Sequence, residues 1–95
     1  MRTTERKISW TSTFKRDFKR EKKKNQQLET MLGPILSALA ADELLEPRHY
    51  DHALTGDWKD YRDCHVKPDL VLIYQKPDEE ILLLVRLGSH SELDI

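Results

Sequence analysis

Leu70-Val71-Leu72-Ile73-Tyr74-Gln75-Lys76-Pro77-Asp78-Glu79-Glu80-Ile81-Leu82-Leu83-Leu84-Val85-Arg86-Leu87 holds two apolar runs around a polar turn. Each run is short, without polar alternation and rich in branched residues, which predicts strands apolar on both faces. Lys76-Pro77-Asp78-Glu79 has hairpin character, because proline presets the turn backbone and aspartate bonds to it locally. Leu70 to Gln75 and Ile81 to Leu87 are therefore central strands of an antiparallel meander. A third strand is expected upstream, from Trp58 to Val66. Before it, a polar loop runs from Glu46 to Gly56, punctuated by Pro47 and Gly56.

The first half of the chain reads as helix. Ile8-Ser9-Trp10 is a short strand suited to a pleated surface, and Thr11 or Ser12 can cap a helix after it by accepting an orphan backbone N–H. Phe14 and Phe18 lie one helical turn apart among Lys15, Arg16, Lys19, Arg20, Lys22, Lys23 and Lys24, giving a narrow apolar stripe and a broad cationic face. Leu28, Met31, Leu32, Ile35 and Leu39 recur at helical steps, predicting a second helix from Gln26 to about Leu44. Gly33-Pro34 interrupts it, and the unbroken phase of the stripe favours a kink over two helices. The order β-α-α-β-β-β is that of a small α+β domain, a mainly antiparallel sheet with two N-terminal helices packed on it. Residues 1–95 form one domain of this kind.

Composition narrows the class further. With 95 residues the chain has one core and no second lobe. It lacks the apolar run of a membrane span, and its opening residues lead into no hydrophobic signal segment. The single cysteine, Cys64, builds no disulfide framework, which fits a reducing cytoplasm. Sixteen basic and 17 acidic residues nearly cancel. Residues 1–24, however, carry 10 Lys or Arg and 3 Asp or Glu, leaving 6 and 14 for the remainder.

Reactive side chains cluster in the second half: His49, Asp51, His52, Arg62, Cys64, His65, Asp69, Arg86 and His90. Histidine titrates near neutrality and moves protons in either direction. Several histidines beside an arginine suit cleavage of a ribose phosphodiester, with one group taking the 2′-OH proton and another protonating the leaving 5′-oxygen. By spacing alone, His65 and Asp69 read equally as a strand-end histidine and a Pro-Asp turn residue. Cys64 adjoins His65, so within a strand it points to the opposite face and reads as packing. His49 reads as a solvated loop residue, and Arg86 could simply pair with a carboxylate.

The stretch from Asp51 to Asp69 resembles the D-H-x-L-x-G-x-W-x-x-Y-R-x-x-H-V-x-P-D segment of YafQ-type toxins, in the RelE/ParE superfamily of bacterial toxin–antitoxin systems. Arg86-Leu87-Gly88-Ser89-His90-Ser91-Glu92-Leu93 is similar to that family's R-x-G-(S/T)-H-x-x-L ending. The resemblance implies a type II toxin acting as a ribosome-dependent endoribonuclease that cuts messenger RNA in the A site and so inhibits translation. It implies His52, His65, Asp69 and His90 as catalytic residues. His90 would be the general acid, and Asp69, helped by His65 or His52, the base or the group that orients it. Arg86, Lys67 and Arg62 would contact substrate, with no metal or cofactor required.

The implied partners are a cognate antitoxin, dimeric and DNA-binding, in a heterotetramer or larger complex, and the 70S ribosome with its messenger RNA. Operator DNA would be reached only through the antitoxin. Related toxins carry phenylalanine four residues past the final histidine, where this chain has Asp94. The same fold also serves non-enzymatic gyrase-inhibitor toxins and attenuated toxins that only bind antitoxin. From the charge distribution we expect a divided surface, with the basic helix beside His52, His65 and His90 and most carboxylates opposite.

Overall fold

The apolar runs become strands at the middle of a five-stranded sheet. The computed structural model describes residues 5–95, so Arg2 of the basic segment lies outside the described residues. The elements are β1 (Lys7–Trp10), α1 (Ser12–Lys24), α2 (Leu28–Ala40), β2 (His52–Ala53), β3 (Arg62–Lys67), β4 (Leu70–Gln75), β5 (Ile81–Gly88) and α3 (His90–Leu93). Strand order is β1-β5-β4-β3-β2. Only β1 runs parallel to its neighbour, with Lys7 opposite Ile81 and Trp10 opposite Leu84. No helix of the described residues is long and apolar enough to cross a membrane.

Both sheet faces are covered, as the two-sided apolar strands require. On one face Phe14, Leu28, Leu32, Ile35 and Leu39 of the helices pack on Cys64, Val66, Leu72, Tyr74, Leu82, Leu84 and Leu87. Burying each such aliphatic side chain contributes roughly 1.5–3 kcal/mol, so this face dominates stability. On the other face Val71, Ile73 and Leu93 form a smaller cluster with Leu54, Trp58, Tyr61 and Val85. A bulge in β5 lies between the pairs Tyr74–Leu84 and Ile73–Arg86, and Val85 is its extra residue.

Several boundaries differ from the expected ones. α2 runs unbroken through Pro34 but stops at Ala40, not Leu44. Asp42 takes a left-handed backbone (φ 58) and the Glu43 N–H returns to the Ala38 carbonyl, a Schellman-type ending. β3 begins at Arg62, not Trp58. Gly56 (φ 65) opens a 3-10 turn that takes Trp58 out of the strand, and Trp58 and Tyr61 pack edge to face at 5.3 Å. The expected loop contains the two-residue strand β2, and the tail forms α3, which sequence patterning did not anticipate.

β1 ends at Trp10, so the second half of β5 has no strand on its outer edge. α1 supplies the missing partners. Its cap residue Thr11 receives the Phe14 N–H, donates its hydroxyl to the Val85 carbonyl at 2.9 Å and its N–H to the Leu84 carbonyl at 3.0 Å. Further along the helix, Asp17 is only 2% exposed, and its Oδ2 accepts the Leu87 N–H at 3.0 Å. The same carboxylate takes Arg86 Nε at 2.7 Å and Arg20 Nη1 at 2.9 Å, while Arg20 Nη2 donates to the Leu87 carbonyl. Gly88 lacks a Cβ where Arg20 and Glu92 approach, and one there would stand 3.1 Å from each.

Burial alone would push the Asp17 carboxyl up. Hydrogen bonds from Arg86, the Leu87 N–H and Arg20 outweigh that and hold it below the usual carboxylate range. Its contribution is therefore fully present above about pH 4 and is lost as pH falls through the depressed folded value. Asp17→Ala leaves two guanidinium groups and one N–H without their acceptor, at a cost of about 3 kcal/mol, or a fall in Tm on the order of 15 °C for a domain this size. Thermal melts at pH 7 and pH 3 check this. The loss shrinks at the lower pH, and a fall of only a few degrees at pH 7 would remove Asp17 from this role.

Candidate active site

The alternation of β3 sorts its side chains between two environments. Cys64 and Val66 enter the helix-covered core, whereas His65 stands opposite Val71 and Asp63 opposite Ile73, on the α3 face. β2 lies beside β3 with His52 paired to Asp63, which brings a second histidine to the same face. The β3–β4 turn carries Asp69, and α3 begins at His90. α3 owes its existence to a capping box: Ser89 Oγ accepts the Glu92 N–H, and the Glu92 carboxylate accepts the Ser89 N–H. Asp94, in the left-handed region at φ 57, then closes it. That gives Asp94 a structural task, since aspartate tolerates this conformation better than bulky residues do.

These elements bring His52, His65, Asp69 and His90 to one face. Asp69 Oδ1 accepts both the His90 N–H at 3.1 Å and His90 Nδ1 at 2.8 Å, joining turn to tail. Those two bonds from His90 hold the Asp69 carboxyl below its ordinary range, so it is a carboxylate near neutrality and can only accept. His90 Nδ1 therefore carries the proton it shares, and Nε2 is left for other chemistry. The His90 and His65 rings meet edge to face with centroids 5.0 Å apart, and the Tyr50 ring lies 5.5 Å from that of His65.

Backbone carbonyls fix two more imidazoles. His52 Nδ1 donates to the Tyr50 carbonyl at 2.7 Å, and His49 Nδ1 to the His65 carbonyl at 2.7 Å. A carbonyl only accepts, so in both rings Nδ1 bears hydrogen. His49 is thus an anchor of the loop on β3, not the solvated residue expected. His52 Nδ1 is also 3.1 Å from Asp63 Oδ1, yet its proton points to Tyr50 and this oxygen has no hydrogen-bond partner among the described residues. Asp63 is 2% exposed, and burial pushes its carboxyl up against the pull of His52, His65 and His90. Asp63 shares the strand parity of His65, a signal in the sequence that pointed to the same face.

The three expected substrate-contacting cations are dispersed. Lys67 is exposed at the end of β3, near Asp69. Arg86 is a partner of Asp17, its side chain 27% exposed. Arg62 stands opposite Tyr74, on the helix face, where it donates to the Tyr74 hydroxyl and to Asp51 at 3.3 Å. The Tyr74 hydroxyl in turn donates to Asp51 at 2.5 Å. Cys64 is fully buried, and burial followed by the charges of Asp51 and Asp63 pushes its thiol up, which leaves it inert as a nucleophile.

The divided surface is not what the chain forms. On α1, Arg20 pairs with Asp17, Glu21 and Glu92, Lys24 with Glu21, and Lys22 with Glu29 of α2. Lys15, Arg16, Lys19 and Lys23 make no ion pair among the described residues, so part of the cationic face remains. The histidine cluster, for its part, is built together with Asp63 and Asp69. Basic and acidic groups are mixed in both places, because the carboxylates serve as ties between elements.

Comparison with known proteins agrees with this architecture. A family described as "Bacterial toxin of type II toxin-antitoxin system, YafQ" matches residues 6–95. The mRNA interferase toxin YafQ of Escherichia coli is 36% identical over 90 residues, covering 94% of this chain and 96% of that protein. A metal-bound toxin from Helicobacter pylori has a crystal structure with a TM-score of 0.85 and 43% identity, covering 95% of this chain and 99% of that one. The E. coli DinJ–YafQ complex contains a chain with a TM-score of 0.81 and 34% identity, covering 93% and 97%. Matched across nearly its whole length in sequence and in fold, the chain belongs to the YafQ family of toxins of type II toxin–antitoxin systems.

Proposed function

We propose that this chain is an mRNA interferase that cleaves messenger RNA in the ribosomal A site by acid–base catalysis, and that an antitoxin holds it in check. The carrying observation is the His90–Asp69 pair standing ring to ring with His65. The 2′-oxygen of the nucleotide before the cut attacks phosphorus, and the bond to the 5′-oxygen breaks. His65, or His52 beside it, takes the 2′-OH proton, while His90 gives a proton from Nε2 to the departing 5′-oxygen. The products are a 2′,3′-cyclic phosphate and a 5′-OH end. Both hydrogen bonds from His90 support an orienting role for Asp69 rather than that of a base.

Because E. coli YafQ forms a complex with DinJ, a protein of antitoxin type is the expected partner here as well. The Helicobacter pylori relative is metal-bound. Among the described residues of this chain, no group of three or more His, Cys, Asp or Glu side chains is placed to hold a metal ion. The mixed charge of α1 and of the site argues against docking by a basic face alone. Lys15, Arg16, Lys19, Lys23 and Lys67 are among the cations that make no ion pair among the described residues and remain available to ribosomal or messenger phosphates.

Expression of the wild-type chain should arrest growth and produce cuts mapped by primer extension only when ribosomes are present. His90→Ala should lower cleavage by about 10²–10⁴-fold, the usual worth of a general acid, and relieve arrest. Undiminished cutting in that variant would remove His90 from the mechanism, while arrest without cuts would favour a non-enzymatic toxin. Asp69→Asn replaces an acceptor with a group that can donate to the ring, and the rate should fall by roughly 10–100-fold, on the scale of lost second-shell partners. Asp69 is held below the usual carboxylate range, so inflections of the pH–rate profile near neutrality should survive that substitution. Their disappearance would assign the titration to Asp69.

A further inference from the structure

Tyr50 is placed in a way that packing does not explain. It is 68% exposed and belongs to neither core cluster. Its backbone is left-handed, at φ 46 and ψ 48. Tyr50 ends the 3-10 turn Pro47–His49, as Asp42 and Asp94 end α2 and α3, but those two aspartates are of a type that tolerates this region, whereas tyrosine is not. A tyrosine there is strained, and such strain persists where a site over-determines it. The conformation turns the Tyr50 carbonyl onto His52 Nδ1 and leaves the ring beside His65 at a 39° tilt. The His65 ring thus contacts both His90 and Tyr50, and the Tyr50 ring reaches into solvent.

We propose that Tyr50 is a base-stacking residue: its ring receives the nucleobase flanking the phosphate that is cut beside His65 and His90. The inference rests on the RNA-cleaving reading of the site and adds to it a binding subsite on the Tyr50 side of the histidines. A groove of about 610 Å³ beside this loop is walled largely by apolar residues such as Met31, Ile35 and Leu45, and at its border stand Lys67 and Arg48, the latter paired with Glu46, so a bound strand would meet two basic side chains there. Every base has a π-face, so the contribution is largely independent of sequence.

Two substitutions separate the ring from the backbone. Tyr50→Gly keeps the left-handed conformation, and with it the carbonyl on His52, but removes the ring. Tyr50→Phe keeps the ring and removes only the hydroxyl. An RNA with 2-aminopurine on either side of the cleavage site, made uncleavable by a 2′-deoxy nucleotide there, is loaded on programmed ribosomes and titrated with each protein. Wild type and Tyr50→Phe should quench the fluorescence. Tyr50→Gly should not quench, and on cleavable RNA its KM should rise by about 5- to 100-fold, the usual range for one lost base stack. Its kcat should be unchanged and its Tm equal or higher.

Unchanged quenching and KM in Tyr50→Gly would overturn the proposal, as would absence of quenching by the wild type. A loss in Tyr50→Gly confined to kcat, or accompanied by a fall in Tm, would also overturn it by making the ring a support for His65. Failure of the wild type to cut RNA would sink the nuclease reading instead, and the quenching would still decide whether Tyr50 stacks on a base.

Discussion

The fold turns on one buried carboxylate. Asp17 lies on the inward stripe of α1, three residues after Phe14 and four before Glu21, at a place where an apolar side chain would be the ordinary choice. It is charged because the strand beneath it has an unfinished edge: β1 pairs with the first half of β5 only, and Leu87 still needs an acceptor for its N–H. An unpaired buried N–H costs about 1–3 kcal/mol, and a lone buried carboxylate costs more. Joined to each other and to Arg20 and Arg86, both are satisfied. This tie also sets where the sheet ends and where α3 starts, since Gly88 and Ser89 come directly after Leu87.

The site is correspondingly an affair of element ends. Asp69 comes from the turn between β3 and β4, His90 from the first position of α3, and His52 from a strand of two residues. None of these pieces is rigid by itself. They are fixed by hydrogen bonds from the Nδ1 atoms of His49, His52 and His90, which leave the Nε2 atoms of that set outside these bonds. Two carbonyls and one carboxylate thus set the tautomers of these imidazoles.

The sequence disclosed its central strands, its α1 cap and the histidines of the site, because each is written in neighbouring residues. Apolar runs mark buried strands, Thr11 marks a cap, and the motif from Asp51 to Asp69 marks the family. What stayed hidden was decided across long separations. Asp17 and Arg86 are 69 residues apart, so a count of charge by segment saw a basic helix where the folded chain has a network. Tyr50 and His49 carry no motif, and only the turn around Pro47 reveals that one is strained and the other tied to β3. α3 was in principle readable, for Ser89-His90-Ser91-Glu92 is a capping box, but four residues are too few to show a periodicity.

The parallel pairing of β1 with β5 has a consequence for the order of events during synthesis. The first strand waits for residues 81–84, and α1 waits for Leu87, so neither edge can close on a nascent chain until residues 81–87 have left the exit tunnel. Contacts of such high sequence separation must meet their loop-closure cost late, after local helices have formed. His90 lies beyond even these residues and reaches Asp69 last. The histidine cluster is therefore assembled behind both sheet edges and not ahead of the strands that carry it.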